Sequence, residues 1–238
     1  MNSRPVAVVA GATGTLGQET AKLLARDGFL LYCGYNCSQT KAEELALKLD
    51  GKAFKISAEG DPLEALEWVF NQEGRLDAVI NCVGLNIEGP AALLDFEVWR
   101  KVFDLNLHFA FHLTQAAARI MIPSGGGRII HLSSAAARLG GRGQLNYAAS
   151  KAALERLVKG FALECGPKGI LINAVAPGII VSPMTERIVS KHRQSLLERI
   201  ASRRFGSPMD VAEAVAFLAG PGASYINGAV LAVDGGLW

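Results

Sequence analysis

The sequence predicts an α/β fold of the Rossmann type, a doubly wound parallel sheet of about seven strands with helices on both faces. Short β-branched apolar runs alternate with longer helical patterns along the whole chain, as expected of βαβ units. Several of these runs are continuously apolar, which is typical of strands that helices cover on both faces. The length of 238 residues suits one domain with a substantial core, so we expect a single domain over residues 1–238.

The elements alternate in order. The predicted strands are Val6–Ala10, Leu30–Tyr35, Ala53–Ile56, Ala78–Val83, Arg128–Leu132, Leu171–Val175 and Ala229–Val233. The predicted helices are Leu16–Arg26, Lys41–Leu49, Pro62–Gln72, Phe96–Ile122, Tyr147–Cys165 and Pro208–Leu218. No internal repeat, low-complexity tract or linker interrupts this alternation.

Composition excludes several classes of protein. Hydrophobic residues make up 50% and charged residues 19% of the chain, which favours a compact globular domain over disorder. A formal net charge of +2 gives no reason to expect a nucleic acid as partner. No apolar run approaches the ~18 residues of a membrane span, and the N-terminus lacks a signal-peptide pattern, so we expect a cytoplasmic protein with no membrane partner.

Cysteine and histidine spacing predicts neither disulfides nor a metal. The four cysteines are scattered without a CxxC pair, so we expect reduced, mostly buried thiols. His108 and His112 are four residues apart, which could suit a metal, but their surroundings offer no obvious third ligand. We interpret both as core or interface histidines.

A glycine-rich turn lies between the first predicted strand and the first predicted helix. It reads Gly11-Ala12-Thr13-Gly14-Thr15-Leu16-Gly17. Glycines permit a tight turn and close backbone approach, and a helix N-terminus offers free N–H groups to a pyrophosphate. In this position the turn predicts a dinucleotide site. The predicted contacts are Gly11, Thr13, Gly14, Thr15, Leu16 and Gly17. The alternative is a plain βα turn.

The second predicted strand ends in Tyr35-Asn36-Cys37-Ser38. A cofactor with a free ribose 2′-hydroxyl usually meets Asp or Glu at this point, and none is present. The uncharged Asn36 and Ser38 would tolerate a 2′-phosphate, so NADP(H) is favoured and NAD(H) remains possible. Ser38 could instead serve as the N-cap of the next helix.

A serine, a tyrosine and a lysine are spaced for proton transfer. Tyr147 and Lys151 are four residues apart, so they share one face of a predicted helix. A tyrosine hydroxyl normally titrates near ~10, and a neighbouring cation lowers that pKa. Ser134 lies 13 residues before Tyr147, at the end of a predicted strand, where its hydroxyl could hold a carbonyl oxygen. YxxxK alone also occurs on solvated helix faces.

Two asparagines add to this set. Asn81-Cys82-Val83-Gly84 closes the fourth predicted strand, at the sheet edge where ligands bind, so Asn81, Cys82 and Val83 are predicted cofactor contacts. Asn106 lies within a predicted helix, although asparagine is a poor helix former. It could loosen the backbone and hold water, or face solvent. Its apolar neighbours favour burial, which demands a hydrogen-bond partner.

Together these motifs resemble the short-chain dehydrogenase/reductase family over essentially the whole chain, and are most similar to its 3-oxoacyl-(acyl-carrier-protein) reductases. Asn106 lies 41 residues and Ser134 13 residues before Tyr147, as in that subgroup. The matching residues are GATGTLG, NCVG, Asn106, Ser134, Tyr147, Lys151, Pro177-Gly178 and Val233–Gly236.

The cofactor loop departs from that pattern. The compact branch of the family usually has glycines at the positions of Gly11, Thr15 and Gly17, whereas this chain has Gly11, Gly14 and Gly17. Gly14 stands where many NADP-dependent members have Arg. The usual adenine-contacting Asp after the third strand is Ser57, followed by Ala58. None of these changes removes a catalytic group.

The resemblance implies a role for each matching residue. Ser134 would polarise a substrate carbonyl and Tyr147 would donate the proton. Lys151 would lower the pKa of Tyr147 and hold the nicotinamide ribose, and Asn106 would anchor a water that relays protons. The residues that would flank the nicotinamide are Pro177, Gly178, Ile180 and Ser182.

The implied reaction is hydride transfer from NADPH to a ketone, most similar to reduction of a 3-oxoacyl thioester linked to acyl carrier protein or CoA. Alternatives are an NAD(P)-dependent dehydrogenase of a sugar, steroid or other secondary alcohol, and a non-catalytic nucleotide-binding regulator. The expected lid at 182–207 holds six Lys/Arg and two Glu, a net +4 that could attract an acidic carrier. A solvated amphipathic helix pair is the alternative.

The resemblance also bears on partners. Lys168 matches one basic residue of the family's carrier-docking patch, and Gly125 stands at the other position. Members of the subgroup are commonly homotetramers. The stretches that could supply interfaces are Leu105–Leu113, Ala152–Ala162 and the C-terminal LAVDGGLW ending in Trp238.

Overall fold

A single parallel sheet organises the computed structural model, which describes residues 4–183 and 185–237. Its strands are β1 (Val6–Ala10), β2 (Leu30–Tyr35), β3 (Lys52–Lys55), β4 (Ala78–Asn81), β5 (Gly127–Leu132), β6 (Ile170–Pro177) and β7 (Val230–Val233). Their order is β3-β2-β1-β4-β5-β6-β7, and every pair is parallel. The predicted fold class is confirmed. The chain order reverses between β1 and β4, the switch point at which doubly wound sheets bind ligands.

Helices cover both faces of this sheet. They are α1 (Thr15–Arg26), α2 (Gln39–Lys48), α3 (Pro62–Glu73), α4 (Phe96–Phe103), α5 (Phe109–Met121), α6 (Ala136–Leu139), α7 (Leu145–Cys165), α8 (Glu186–Glu198) and α9 (Pro208–Ala219). Side chains of α3, α5 and α7 form one core cluster with the sheet, and those of α1, α2 and α9 form the other. No helix in the described ranges is long and apolar enough to cross a membrane.

Short-range sequence signals place several helix ends. The Asp61 carboxylate accepts the Leu63 N–H at 2.8 Å and starts α3, which ends at Gly74 with φ 71°. At the start of α9, Ser207 and Asp210 form a capping box. Ser38 occupies the N-cap position of α2, as anticipated, but its side chain makes no capping hydrogen bond.

The predicted helix Phe96–Ile122 is helical from Phe96 to Met121, but its middle is not α-helical. A π-helical turn over Asp104–His108 separates α4 from α5 and carries Asn106 at its centre. π turns disrupt the regular i→i−4 hydrogen bonding and are frequent at functional sites. The same turn leaves His108 and His112 exposed, so neither is a core residue, and His108 pairs with Asp104 at 2.9 Å.

The segment 182–207 contains α8, which bends at His192, where φ is −127°. Bridges tie this segment to the rest of the fold, Ile180 with Gly206 and Ile200 with Leu237. Trp238, expected at an interface, lies outside the described residues.

Candidate active site

The predicted site residues share one edge of the sheet. Because all seven strands are parallel, their carboxyl ends meet there. Residues following β1, β2, β3, β4, β5 and β6 contribute to this edge, together with the start of α7. In chain order they are Gly11–Gly17, Tyr35–Ser38, Ser57 and Ala58, Asn81–Val83, Ser134, Tyr147 and Lys151, and Pro177–Ser182.

Glycines of the first turn lie where neighbouring backbone comes too close for a side chain. Gly11 has φ 77°, and a Cβ there would lie 3.2 Å from the main chain of Cys82 and Val83. A Cβ on Gly17 would lie 2.2 Å from the Gly11 carbonyl oxygen, so only glycine allows α1 to pack this closely. Gly14 is exposed, and its Cβ would meet only the Gly11 oxygen at 3.4 Å. Two of the three glycines are therefore required by the turn itself.

The N-terminus of α1 is free to bind an anion. Its N-cap, Gly14, has no side chain to cap the helix, and the first intrahelical bond runs from Gln18 N to Gly14 O at 2.9 Å. The amides of the residues between them are the orphan donors of a helix start. No acidic residue lies in the first turn of α1. This geometry fits a pyrophosphate.

The end of β2 presents a polar, uncharged surface. Tyr35 is half-buried, Asn36 and Cys37 are exposed, and Ser38 is half-buried. After β3, Ser57 is half-buried and Ala58 is exposed. This arrangement places no carboxylate among the six residues predicted to meet the adenosine half of a dinucleotide.

The Ser134 hydroxyl faces the Tyr147 phenol and acts on its pKa as a hydrogen-bond partner. Burial raises the pKa of the Tyr147 phenol, and the Ser134 hydrogen bond opposes that rise. The expected lowering of this pKa by Lys151 is therefore wrong for the protein as the structure presents it, because burial outweighs the other effects. Tyr147 is held as a neutral phenol.

Lys151 is a buried cation, with 3% of its surface exposed. Its Nζ donates a hydrogen bond to the Leu132 carbonyl at 2.7 Å and lies 5.8 Å from the centre of the Tyr147 ring. Burial lowers the pKa of Lys151 to about 8. The ammonium is thus fixed beside the phenol, with its proton loosely held.

Asn106 is 1% exposed, and both the oxygen and the nitrogen of its side-chain amide are hydrogen-bonded. Its Oδ1 accepts the Leu85 N–H at 2.7 Å, and its Nδ2 donates to the Leu85 carbonyl at 2.9 Å and to Ser150 Oγ at 2.9 Å. The predicted burial and the need for partners are confirmed. These bonds tie the loop after β4 to the helix that carries Tyr147 and Lys151.

Gly84 lies close to both Lys151 and Asn106. A Cβ at this position would lie 3.3 Å from Lys151 Nζ and 3.7 Å from Asn106 Oδ1. Gly84 therefore lies between Lys151 and Asn106, so the structure collects all four predicted catalytic residues in one place.

A cleft of about 740 Å³ opens beside these residues. Its lining comes from the loop after β4 and from the start of α7, and includes Ala148, the residue after Tyr147. The other lining residues are Glu88–Ala91, Gly140–Gly143 and Leu145.

Sequence reasoning assigned no role to three contributors to this site. Leu132 acts through its main-chain carbonyl, which no residue type can signal. Gly84 and Ser150 stand next to residues already selected, and their spacing to Asn106 becomes meaningful only once the π turn is known.

The fold and the site define a dinucleotide-dependent oxidoreductase, and comparison with known proteins agrees. The family model described as Enoyl-(Acyl carrier protein) reductase matches residues 11–238. A short-chain type dehydrogenase/reductase from Mycobacterium ulcerans superimposes with a TM-score of 0.93 at 26% identity, covering 98% of this chain and 89% of that one. The chain belongs to the short-chain dehydrogenase/reductase family.

Named relatives lie within that family. The chain is 35% identical over 238 residues to the 3-oxoacyl-(acyl-carrier-protein) reductase FabG of Thermotoga maritima, covering 98% of this chain and 97% of the relative. It is 36% identical to the same-named protein of Staphylococcus aureus, with coverage of 98% and 97%. An acetoin dehydrogenase from Enterobacter cloacae superimposes with a TM-score of 0.89 at 31% identity, covering 99% and 96%.

The pKa of Lys151 predicts a pH-dependent stability. Its folded value, about 8, lies below the 10.5 of an unperturbed lysine. Between these pH values the unfolded chain binds more protons, so this contribution to the free energy of unfolding rises with pH. We expect the stability of Lys151→Met relative to wild type to fall from pH 8 to pH 10.5 in urea titrations. A constant difference over that interval would contradict the buried ammonium.

Proposed function

We propose that the protein reduces a 3-oxoacyl thioester, linked to acyl carrier protein or CoA, to the 3-hydroxyacyl product with NADPH. The observation that carries the proposal is the Ser134–Tyr147 hydroxyl pair, placed beside a buried lysine, with an open cleft lined by Ala148, the residue after Tyr147. The names of the full-length relatives support the choice of substrate.

In this mechanism the two hydroxyls act on the carbonyl oxygen. Ser134 donates a hydrogen bond to it, and Tyr147 transfers its proton to it as the carbonyl carbon is reduced. When bound, the nicotinamide supplies the hydride. The alkoxide charge that would build up on oxygen is thereby neutralised within the site.

The protonation state of Tyr147 supports the reductive direction. A general acid must carry its proton when the substrate arrives, and burial keeps this phenol protonated at neutral pH. Oxidation of an alcohol would instead need the phenolate. Lys151, with a pKa of about 8, is suited to return a proton to Tyr147 after each turnover.

Asn106 has a positioning role in this proposal. Both of its amide N–H groups are engaged with Leu85 and Ser150. A relay water would therefore have to bind to a carbonyl oxygen of Asn106, and the side chain chiefly holds the loop after β4.

Tyr147→Phe tests the proton transfer. We expect at least a 100-fold loss of kcat, because the phenolic proton that would be transferred to the carbonyl oxygen is removed, with dinucleotide affinity unchanged within about twofold. The loss of kcat is measured as turnover with an acetoacetyl thioester, and the dinucleotide affinity is measured by fluorescence titration with NADPH. Wild-type activity in this variant would refute the mechanism.

The preference for NADP(H) rests on the end of β2. A 2′-phosphate would meet Asn36 and Ser38 there without repulsion from a carboxylate. Gly14 offers no cation for that phosphate, so the preference is proposed from the missing acid and not from a positive anchor.

Asn36→Asp should reverse this preference. A carboxylate would repel the 2′-phosphate and accept a hydrogen bond from a free 2′-hydroxyl. We expect the ratio of kcat/KM for NADPH over NADH to fall by about tenfold or more. Gln39→Asp, an exposed neighbour in the first turn of α2, serves as the control for added charge alone. NADH binding to the wild type at least as tightly as NADPH would contradict the proposed preference.

Carrier docking is proposed at the segment 182–207, which would act as a lid. At least two of its six basic side chains are already engaged within the chain. Arg204 pairs with Asp210 through two bonds of 2.8 and 2.7 Å, and Arg203 donates to the carbonyl of Glu198 at 2.8 Å. Lys191 is exposed on α8 and is the better candidate for an acidic partner.

Lys168 lies at the other edge of the sheet. It precedes β6, and Gly125 precedes β5, so the two meet at the amino ends of these strands. The eight residues of β6 span roughly 25 Å at about 3.3 Å per residue. A carrier bound at Lys168 would therefore lie at the opposite end of the strands from the active site of the same chain.

Lys191→Glu tests docking on the lid. We expect the KM for a carrier-linked 3-oxoacyl substrate to rise several-fold through charge repulsion, and the KM for a small acetoacetyl thioester to stay the same. Lys48→Glu, exposed at the far end of α2, is the matched control. Equal effects on both substrates would place the lysine in the substrate cleft and not on a carrier surface.

A second candidate is the oxidation of a small secondary alcohol. It is favoured by the likeness to the acetoin dehydrogenase and to a 7α-hydroxysteroid dehydrogenase solved with NADH, which superimposes with a TM-score of 0.91 at 29% identity over 98% of this chain. A panel of acetoacetyl thioesters, free ketones and secondary alcohols, with both cofactors, separates the two. A non-catalytic regulator would turn over none of them.

We further propose a cytoplasmic homotetramer. All four cysteines are free, in keeping with a reducing compartment. The outer faces of α5 and α7 carry apolar side chains, including Phe111 packed on Phe161 at 5.7 Å and Leu163 with 70% of its surface exposed. Such a surface is suited to helix-on-helix contact between copies.

A further inference from the structure

His131 lies in the middle of the sheet, where a titratable side chain needs an explanation. It is fully buried on β5, and in the sheet register it stands beside Asn81 of β4. Burial and the charge of Lys151 lower its pKa to about 3, so the imidazole is neutral at physiological pH. It takes no part in the proposed proton transfer.

The hydrogen bonds of His131 specify one tautomer. Thr114 Oγ1 donates to the Ala110 carbonyl at 2.6 Å, so it must accept from His131 Nε2 at 2.9 Å. Nδ1 is then the acceptor, and it faces Asn81 Nδ2 at 3.2 Å. The Asn81 Oδ1 in turn accepts the Val83 N–H at 3.1 Å.

The opposite tautomer would break this chain. A proton on Nδ1 would face the amide N–H of Asn81, and rotating that amide would turn its NH2 group towards the Val83 N–H. Each group in this chain of hydrogen bonds therefore donates to the next, from the Val83 amide through Asn81, His131 and Thr114 to α5.

We propose that His131 is a positioning residue that fixes the Asn81–Gly84 turn for dinucleotide binding. The turn lies against the Gly11 backbone, where an added Cβ would be 3.2 Å from Cys82 and Val83, and its last residue borders Lys151. Any shift of the turn would reach both the glycine loop and the ammonium.

The same helical stretch holds this segment at both ends. Asn106, in the π turn, binds Leu85 just after the turn, and Ala110 and Thr114, on α5, hold Asn81 through His131. His131 thus links Asn81, at the strand end, through Thr114 to α5.

The test compares His131→Leu, His131→Gln and a matched control, and it rests on the proposed function. Asn173→Ala is the control, because Asn173 is equally buried on β6 and bonds Ile226 and Ala229 away from the dinucleotide edge. Melting temperature, the Kd for NADPH and kcat at saturating NADPH are measured for each.

We expect His131→Leu to raise the Kd for NADPH about tenfold, the scale of one lost buried hydrogen bond, and to leave kcat within about threefold. His131→Gln, which can both donate and accept, should recover most of the affinity. Asn173→Ala should lower the melting temperature and leave the Kd unchanged. If His131→Leu is insoluble, Thr114→Val, which removes the anchor of Nε2, should raise the Kd in the same direction.

A wild-type Kd in soluble His131→Leu or Thr114→Val, whatever the melting temperature, would overturn the inference and leave His131 a structural residue. Absence of NADPH and NADH binding by the wild type would overturn the proposed function together with this inference, a result distinct from the first.

Discussion

The hydrogen bond from the Lys151 ammonium to the Leu132 carbonyl, 2.7 Å long, is the contact on which the site depends. A buried charge is costly unless it is paired or hydrogen-bonded, and this carbonyl is the partner that the sheet supplies. It is available because the pairing of β5 with β4 ends at His131, one residue before Leu132. Helix α7 must therefore start close to this strand end, and that start also fixes Tyr147, one turn before Lys151, against Ser134. Placement of the cation thus determines placement of the acid.

A second constraint is the close approach of β1 and β4 at the switch point. The Gly11 backbone packs on the turn after β4, and Gly17 packs on Gly11, so α1 begins directly over the strand end. Hydrogen bonds from Asn106 and His131 hold that turn from the opposite face. The dinucleotide loop and the proton-transfer residues therefore share one wall, which explains why so many small or amide side chains are concentrated there.

The fold and the grouping of the candidate catalytic residues were predictable because their signals are local. Seven apolar runs mark the seven strands, and the spacing of Ser134, Tyr147 and Lys151 needs only a strand end and one helical turn. The π turn and the His131 network could not be predicted, because each depends on partners far away in the chain, such as Leu85 for Asn106. The pKa of Tyr147 shows the same limit, because the i,i+4 rule counts the neighbouring cation and omits burial, which has the larger effect.

Burial acts on the two titrating groups in a coordinated way. It raises the pKa of the Tyr147 phenol and lowers that of the Lys151 ammonium to about 8, so both shifts favour the uncharged form of each group. At neutral pH the phenol and the ammonium both carry their protons, and the ammonium gives its proton up more readily than a solvated lysine would. A site in this state is loaded to protonate a carbonyl oxygen and to be recharged from its neighbour. In the reverse reaction, the oxidation of an alcohol, the same phenol would act as the base, and its proton would first have to leave against that desolvation.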